Sequence, residues 1–503
     1  MKWLESAIAS VSPETAARRE HARLRIAALR SARAMYDGAS TSHRTSGWRR
    51  VSTDANAETM GGALQRLRDQ SRDMVRNNPH APKAAAAIQN NVIGSGIIPS
   101  FLGPDGKADK DAEAAAREHL DTTALDPGGQ MDFYGIQSLG VRSVFEGGEV
   151  LLRRRRRLAS DGLPLPFQVQ ILEGDFLDST KDGPQDNGTY AVQGVEFDKI
   201  GRRVNYWLFD EHPGGRSTYR LPQSRRVPAS EIAHVYRIDR AGQVRGVPWL
   251  APVILSLADY ADYADAQRMR QKIAACFAVF EVDANGEGGG NPLLGEAATP
   301  ARPALEELSP GIYERLPPGR DIKFATPPGV EGYADMSRIS LREIAAGLNI
   351  PAFVLSGDLS DLNFSSGRLG FLEFQRALTA YQNNMAINQM CRTVERWFVE
   401  ALAVARGIGR PIRAKWTPPR REMINPTEDI AASREAVRTG VDTPYDMVRK
   451  AGKDPEAHFA EMREAFALLD SLGIVLDCDP RRVSRAGLTQ VRTENTQYPK
   501  VEE

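Results

Sequence analysis

The sequence is poor in the residues that carry most chemistry. It has three cysteines in 503 residues, Cys276, Cys391 and Cys478, far apart and with no CxxC spacing. That argues against a disulfide framework or a thiolate zinc site and fits a reducing compartment. The seven histidines are scattered without ligand spacing, so His119 and His234 are expected to be structural or surface groups. No GxxxxGK[ST], HExxH or GxSxG motif occurs, which leaves phosphate-loop, zincin and nucleophile-elbow chemistry without a carrier. No excess charge is present either: Lys+Arg and Asp+Glu are 65 each, whereas a free nucleic-acid binder usually shows a basic excess. The longest apolar stretch, WLAPVILSLA from Trp249 to Ala258, is too short to span a bilayer. The opening MKWLESAIAS lacks the apolar core of a secretory signal. These absences predict a soluble intracellular chain that is not an enzyme and needs no cofactor.

What is present is organisation. Hydrophobic content of 41% supports real cores, and 503 residues predict more than one domain. Residues 1–50 are basic, with ten Lys/Arg against four acids. They read as a helix capped by Ser12 and closed by Gly38, and Arg18, Arg19, Arg49 and Arg50 are its candidate contacts to an anionic partner. A helix stopping before Pro79 and an Ala-rich one from Pro82 to Val92 follow. From Gly147 the texture changes to antiparallel strands, with a hairpin turn near Lys199–Gly201.

RRRRR, Arg153–Arg157, is the strongest charge signal. On a strand it charges both faces. The reading is a solvated edge strand or ion pairs between subunits, ahead of direct DNA contact.

After Pro252, 26 residues to Ala278 contain neither Gly nor Pro, predicting a helix of about 40 Å. Its ADYADYADA repeat sets Asp259, Asp262 and Asp265 three apart as an acidic stripe. Residues 284–328 hold seven Gly and eight Pro, which marks a linker or a small β module. Helix is expected to resume at Ser340, paired with Glu343 as a capping box, and to stop at Pro351.

A polar stretch, LSGDLSDLNFSSGRLGFLEF from Leu355, follows. An EF-hand loop fails, because positions three, five and twelve from Asp358 are Ser360, Leu362 and Leu369. A looser magnesium set of Asp358, Asp361 and Asn363 is the minor alternative. A helix from Arg368 to Arg406 comes next. Its apolar positions Phe371, Phe374, Leu378, Tyr381 and Met385 change phase to Ile387, Cys391, Val394, Phe398 and Leu402, predicting a bend near Asn383, Asn384 and Asn388.

Several of these stretches resemble the portal proteins of tailed bacteriophages, in the lambda-like family. They are Ser71–Pro99, GEVLLRR at Gly148–Arg154, Gln243–Phe280, LPPGRDIKF at Leu316–Phe324 and Leu355–Phe374. The resemblance implies an α+β portal fold that forms a dodecameric ring at one capsid vertex. Double-stranded DNA would pass through its channel during packaging and ejection. Expected partners are other copies of the chain, the terminase large subunit, a head-completion or adaptor protein, the major capsid protein and scaffold, with no membrane. The setting implied is the virion, after assembly in the bacterial host cytoplasm. The rival readings are another ring-forming phage connector, or a packaging enzyme, without a channel role.

Mapped by that resemblance, residues 1–50 are a basic N-terminal segment, 51–249 the wing, 250–278 a stem helix and 279–333 the clip. Residues 334–349 are a second stem helix, 350–367 the tunnel loop and 368–406 the long kinked helix. A return strand at 407–426, a helical crown at 427–475 and a polar tail at 476–503 complete the chain. The implied channel residues are Ser356, Asp358, Asp361, Asn363, Ser365, Ser366 and Arg368. The stem residues are Asp259, Asp262, Asp265, Arg338 and Arg342, and the docking residues of the clip are Glu287, Asn291, Tyr313, Arg315 and Lys323.

Overall fold

A computed structural model describes residues 54–215, 223–275, 280–281, 314–315, 332–360, 362–420 and 425–476. The elements below all belong to one compact unit, Ala55–Glu503. The expected N-terminal helix, the tail from 477, Asp361 and most of the clip lie outside the described residues.

Two helices open the unit, α1 (Ala63–Asn77) and α2 (His80–Val92). α1 ends where Asn78 turns extended, and Pro79 then leads into α2. The Ala-rich face of α2 packs closely: Ala81, Ala84, Ala85 and Ile88 are fully buried. The chain continues through β1 (Ile98–Leu102), α3 (Lys110–His119, capped by Asp109) and α4 (Phe133–Gly147, capped by Asp132).

The sheets follow. β2 (Glu149–Arg156) lies between β3 (Phe167–Glu173) and β9 (Ile232–Tyr236), antiparallel to both. Between these come β4 (Gly183–Pro184), β5 (Tyr190–Val192), β6 (Val195–Phe197), β7 (Arg203–Phe209) and β8 (Ser224–Pro228), a five-stranded meander. The hairpin expected around Lys199–Gly201 joins β6 to β7, with Gly201 at φ +82°. β2 is two-sided. Val150 and Leu152 enter the main core against the helices, while Leu151 enters a second cluster with Leu208, Val227 and Val244 under the meander.

α5 (Ile254–Ala275) is the expected long helix, two residues later at its start than Pro252 suggests. Short strands β10 (Phe280–Glu281) and β11 (Glu314–Arg315) pair in parallel. α6 (Tyr333–Gly347) begins after Gly332 at φ +85°. Ser340 and Glu343 therefore sit inside a helix and form no capping box; nothing in Tyr333–Ile339 breaks a helix, so the motif is a coincidence of spacing.

α7 (Ala352–Ser356) and α8 (Phe364–Tyr381) flank the polar stretch. From Gln382 to Cys391 the backbone is π-helical, and α9 (Arg392–Arg406) completes the long helix. The wider π spiral is the physical form of the phase change read in the sequence: an i→i+5 segment rotates the apolar stripe. It keeps Phe374 and Leu378 before it, and Val394, Phe398 and Leu402 after it, in one core. β12 (Arg413–Thr417) then pairs antiparallel with β1, Leu102 facing Arg413 and Ile98 facing Thr417. Buried Glu395 of α9 fastens β12 by accepting from Ala414 N at 2.8 Å and Trp416 Nε1 at 2.9 Å.

Three helices end the described chain: α10 (Pro426–Arg438), α11 (Pro444–Lys450) and α12 (Pro455–Ser471). α10 and α11 bury no residue, and α12 buries only Pro455. Among the described residues no helix is long and apolar enough to cross a membrane.

Candidate functional site

The polar stretch between α7 and α8 is a short, exposed turn. α7 closes on Gly357 at φ +74°, a left-handed C-cap that Gly adopts without a Cβ penalty. Ser356 Oγ turns back to accept from Asp358 N at 3.1 Å. Asp358 in turn accepts from Ser360 N at 3.0 Å and Ser360 Oγ at 2.6 Å. Those two bonds, then the nearby Arg338 and Arg342 of α6, hold the Asp358 carboxyl below its ordinary range. Arg338 Nε lies 3.7 Å from Asp358 Oδ2, so the turn is tied to α6.

Asn363 caps α8 by accepting from Ser366 N at 2.8 Å. The long helix thus starts at Phe364, four residues before the expected Arg368. Ser365 and Ser366, expected in the loop, belong with Arg368 to the first turns of α8. The sequence signal for this start is Asn363 itself, a strong N-cap residue. Arg368 reaches Asp429 at 3.2 Å and Glu428 at 3.8 Å, joining the base of α8 to the first turn of α10. The exposed turn is therefore Gly357–Asn363, with Leu359 64% exposed rather than packed on the helix as its apolar character suggests. The acidic stripe is as the spacing predicts: Asp259, Asp262 and Asp265 are exposed on α5, and Asp265 pairs with Arg268. Glu287, Asn291, Tyr313 and Lys323 lie outside the described residues, as do Arg18, Arg19, Arg49 and Arg50; Arg315 is placed in β11.

A second feature went unnoticed in the sequence. Glu149, at the start of β2, is fully enclosed and gathers partners from three segments. Arg68 of α1 and Arg245 both reach its Oε1, the latter at 2.5 Å through Nη2 and 2.9 Å through Nε. His234 Nε2 of β9 lies 3.0 Å from Oε2, and Gly246 N donates to the same oxygen at 2.8 Å. Burial would raise this carboxyl, but Arg245, Arg68 and His234 overcome it and hold the group well below its ordinary value. Burial pushes His234 down to about 4, so the ring is neutral at pH 7. His119 is likewise buried, and burial lowers it to about 4. Both histidines are structural.

Arg72 of α1 extends the cluster, lying 2.5 Å from Asp175 and 3.1 Å from Glu173. Glu173, Asp175 and His212 bring one ligand atom each within 4.8 Å of one another, a spacing a cation could use. The Arg72 guanidinium already supplies the counter-charge there. Glu149 and Arg245 stood inside the stretches GEVLLRR and QVRGVPWL, and the clue is a charged residue beside a Gly at the end of an apolar run.

The arginine run resolves by parity. β2 is the centre of its sheet, not an edge, and the ion pairs it makes lie within the chain. Arg154 pairs with Glu400 and, at 3.9 Å, Glu231; Arg156 pairs with Glu231 at 2.6 Å.

The geometry combines helices and sheets braced by buried ion pairs with an exposed turn ahead of a π-bent helix. Comparison with known proteins gives the class. The family model "Phage portal protein, lambda family" matches residues 41–382. The chain belongs to that family, the head-to-tail connectors of bacteriophages. It is 26% identical over 427 residues to the probable portal protein of Halomonas phage phiHAP-1, covering 81% of each chain. It is 22% identical to portal protein B of Escherichia phage lambda, covering 77% of this chain and 81% of that one. Among solved structures it is similar to a chain of the native gene transfer agent virion, at 13% identity and TM-score 0.42, over 77% of this chain and 94% of that one.

Proposed function

We propose that this portal protein assembles as a dodecameric ring at one vertex of the capsid and gives DNA its path into and out of the head. The turn Gly357–Asn363 lines the narrowest part of the channel. The observation that carries this reading is the turn's construction. It is exposed from Gly357 to Ser360 and at Asn363, with Leu362 half-buried; it is capped at both ends by local hydrogen bonds and set at the head of the long bent helix. Its acids, Asp358 and Asp361, offer phosphates nothing to pair with, and Asp358 is engaged by Arg338. Weak contact suits sliding, since tight phosphate neutralisation gives strong, salt-sensitive binding.

The segment 279–333 serves as the docking surface for terminase and later for head-completion proteins, and the basic segment Arg18–Arg50 contacts an anionic partner. The family relationship and the Gly/Pro-rich composition of 284–328 support the first, and the local basic excess supports the second. No step of this role requires the chain to turn over a substrate.

Replacing Gly357–Asn363 by a shorter Gly/Ser link tests the reading. Rings should form as in the parent, while the DNA packaged or retained per head falls. Unchanged packaging would remove the turn from the channel.

A further inference from the structure

Arg153 and Arg155 of β2 point to the face that carries Leu151, opposite the paired Arg154 and Arg156. Neither makes a hydrogen bond or ion pair among the described residues, and both are only partly exposed. Gln170 stands opposite Arg153 and Gln168 opposite Arg155 on β3. The two guanidinium stems emerge about 6.8 Å apart, two strand residues along, at the polar margin of the second hydrophobic cluster. Burial, then the like charge of Arg155, lowers the Arg153 group from its ordinary value; Arg225 adds to this, and Asp210 and Glu231 oppose it. Arg225 is itself engaged by Asp210 at 2.5 Å. Holding a half-buried guanidinium beside a second one, with no carboxylate on either, is unfavourable unless something else supplies the charge.

We propose that Arg153 and Arg155 form the basic half of a contact between copies of this chain, met by carboxylates of a second copy. Three observations favour that occupant. Arg154 and Arg156, on the same strand, are satisfied by the carboxylates of Glu400 and Glu231. The chain carries equal numbers of acids and bases, so a free basic face implies free acids elsewhere on it. The neighbourhood is mixed in sign, with Asp210 and Glu231 close by. That suits a patchwork of protein charges more than the uniform charge of a nucleic acid. A ring uses two different faces of each subunit, so the basic and acidic halves need not be related by a two-fold axis.

The inference rests on the ring reading, and the experiment separates the two. Full-length chains, half of them isotopically heavy, carry a photo-crosslinking phenylalanine analogue at position 155. They are assembled with parent subunits and irradiated. The expected products are mixed light–heavy crosslinks from position 155 to one acidic peptide. Crosslinks within single chains only, from rings that form normally, overturn this contact and leave the ring intact. Parent chains that never assemble overturn both. In parallel, R153Q/R155Q should shift the concentration for half-assembly upward by about tenfold at low salt, with the gap narrowing as salt rises. The melting temperature of the unassembled variant should match the parent. An unchanged assembly curve overturns the proposal.

Discussion

Arg245 grips Glu149 with two nitrogens on one oxygen, at 2.5 and 2.9 Å, where neither side chain meets solvent. The pair ties the segment leading into α5 to the first residue of β2, and Arg68 brings α1 to the same carboxylate. Removing the acid leaves two guanidiniums buried without a counter-charge. Glu149→Ala should therefore lose about 3–5 kcal/mol of stability, read as a fall in denaturation midpoint. Glu149→Gln, which keeps an acceptor, should lose less. A Glu149→Ala chain as stable as the parent would contradict this account of the cluster.

Gly246 is required by the same junction. A Cβ there would lie 2.1 Å from Gly148 O, and one at Gly148, whose φ is +87°, would lie 2.6 Å from Gly246 O. The obstacle is backbone in both cases and cannot swing away. Gly246→Ala should be destabilising by more than about 2 kcal/mol, while Gly106→Ala, with open space around it, should cost only the strain of its φ of +75°. Equal effects at the two sites would rule out the close approach as the reason for Gly246.

Glu113 gives a pH signature. Burial raises its carboxyl from 4.5 to about 7; the bond from Phe101 N at 2.6 Å opposes this, Asp454 and Asp121 add to it, and Arg117 opposes it. The folded chain therefore holds this proton more tightly than the unfolded chain. The group's contribution is most favourable below about 4.5, declines as pH rises to about 7, and is constant above. Glu113→Gln should raise stability by about 1–2 kcal/mol at pH 8 after allowance for partial exposure, and change little at pH 4. Denaturation of both proteins at the two pH values checks the sign; a larger gain at pH 4 would contradict it.

Arg368 should matter locally rather than globally. α10 buries no side chain, and the Arg368 bridges to Asp429 and Glu428 hold its first turn. Arg368→Ala should increase hydrogen exchange across Pro426–Arg438 while moving the global melting temperature by no more than about 1–2 °C. Unaltered exchange there would show that α10 is held by something else.

The sequence carried the local rules well. The change of phase between Met385 and Ile387 announced the π segment, because the apolar stripe must return to one core whatever the backbone does in between. Pro79 and the turn at Gly201 marked element ends through their own dihedral limits, whereas α6 ends at Gly347, before the expected stop at Pro351, which instead caps the start of α7. Ser340 misled because a capping motif has no meaning where the preceding residues are already helical. The Glu149 cluster was hidden for a different reason: Arg68, Glu149, His234 and Arg245 are distant in sequence and share no period. The arginine run left its strand position open, since a charge pattern alone does not distinguish a central strand paired to acids of other elements from a solvated edge.

The most direct test of the portal reading is a cryo-electron microscopy reconstruction of the purified full-length chain. The account predicts a closed ring of dodecameric symmetry with Gly357–Asn363 of every subunit on the wall of the central channel. A monomer, or a ring in which that turn is buried away from the lumen, would contradict it.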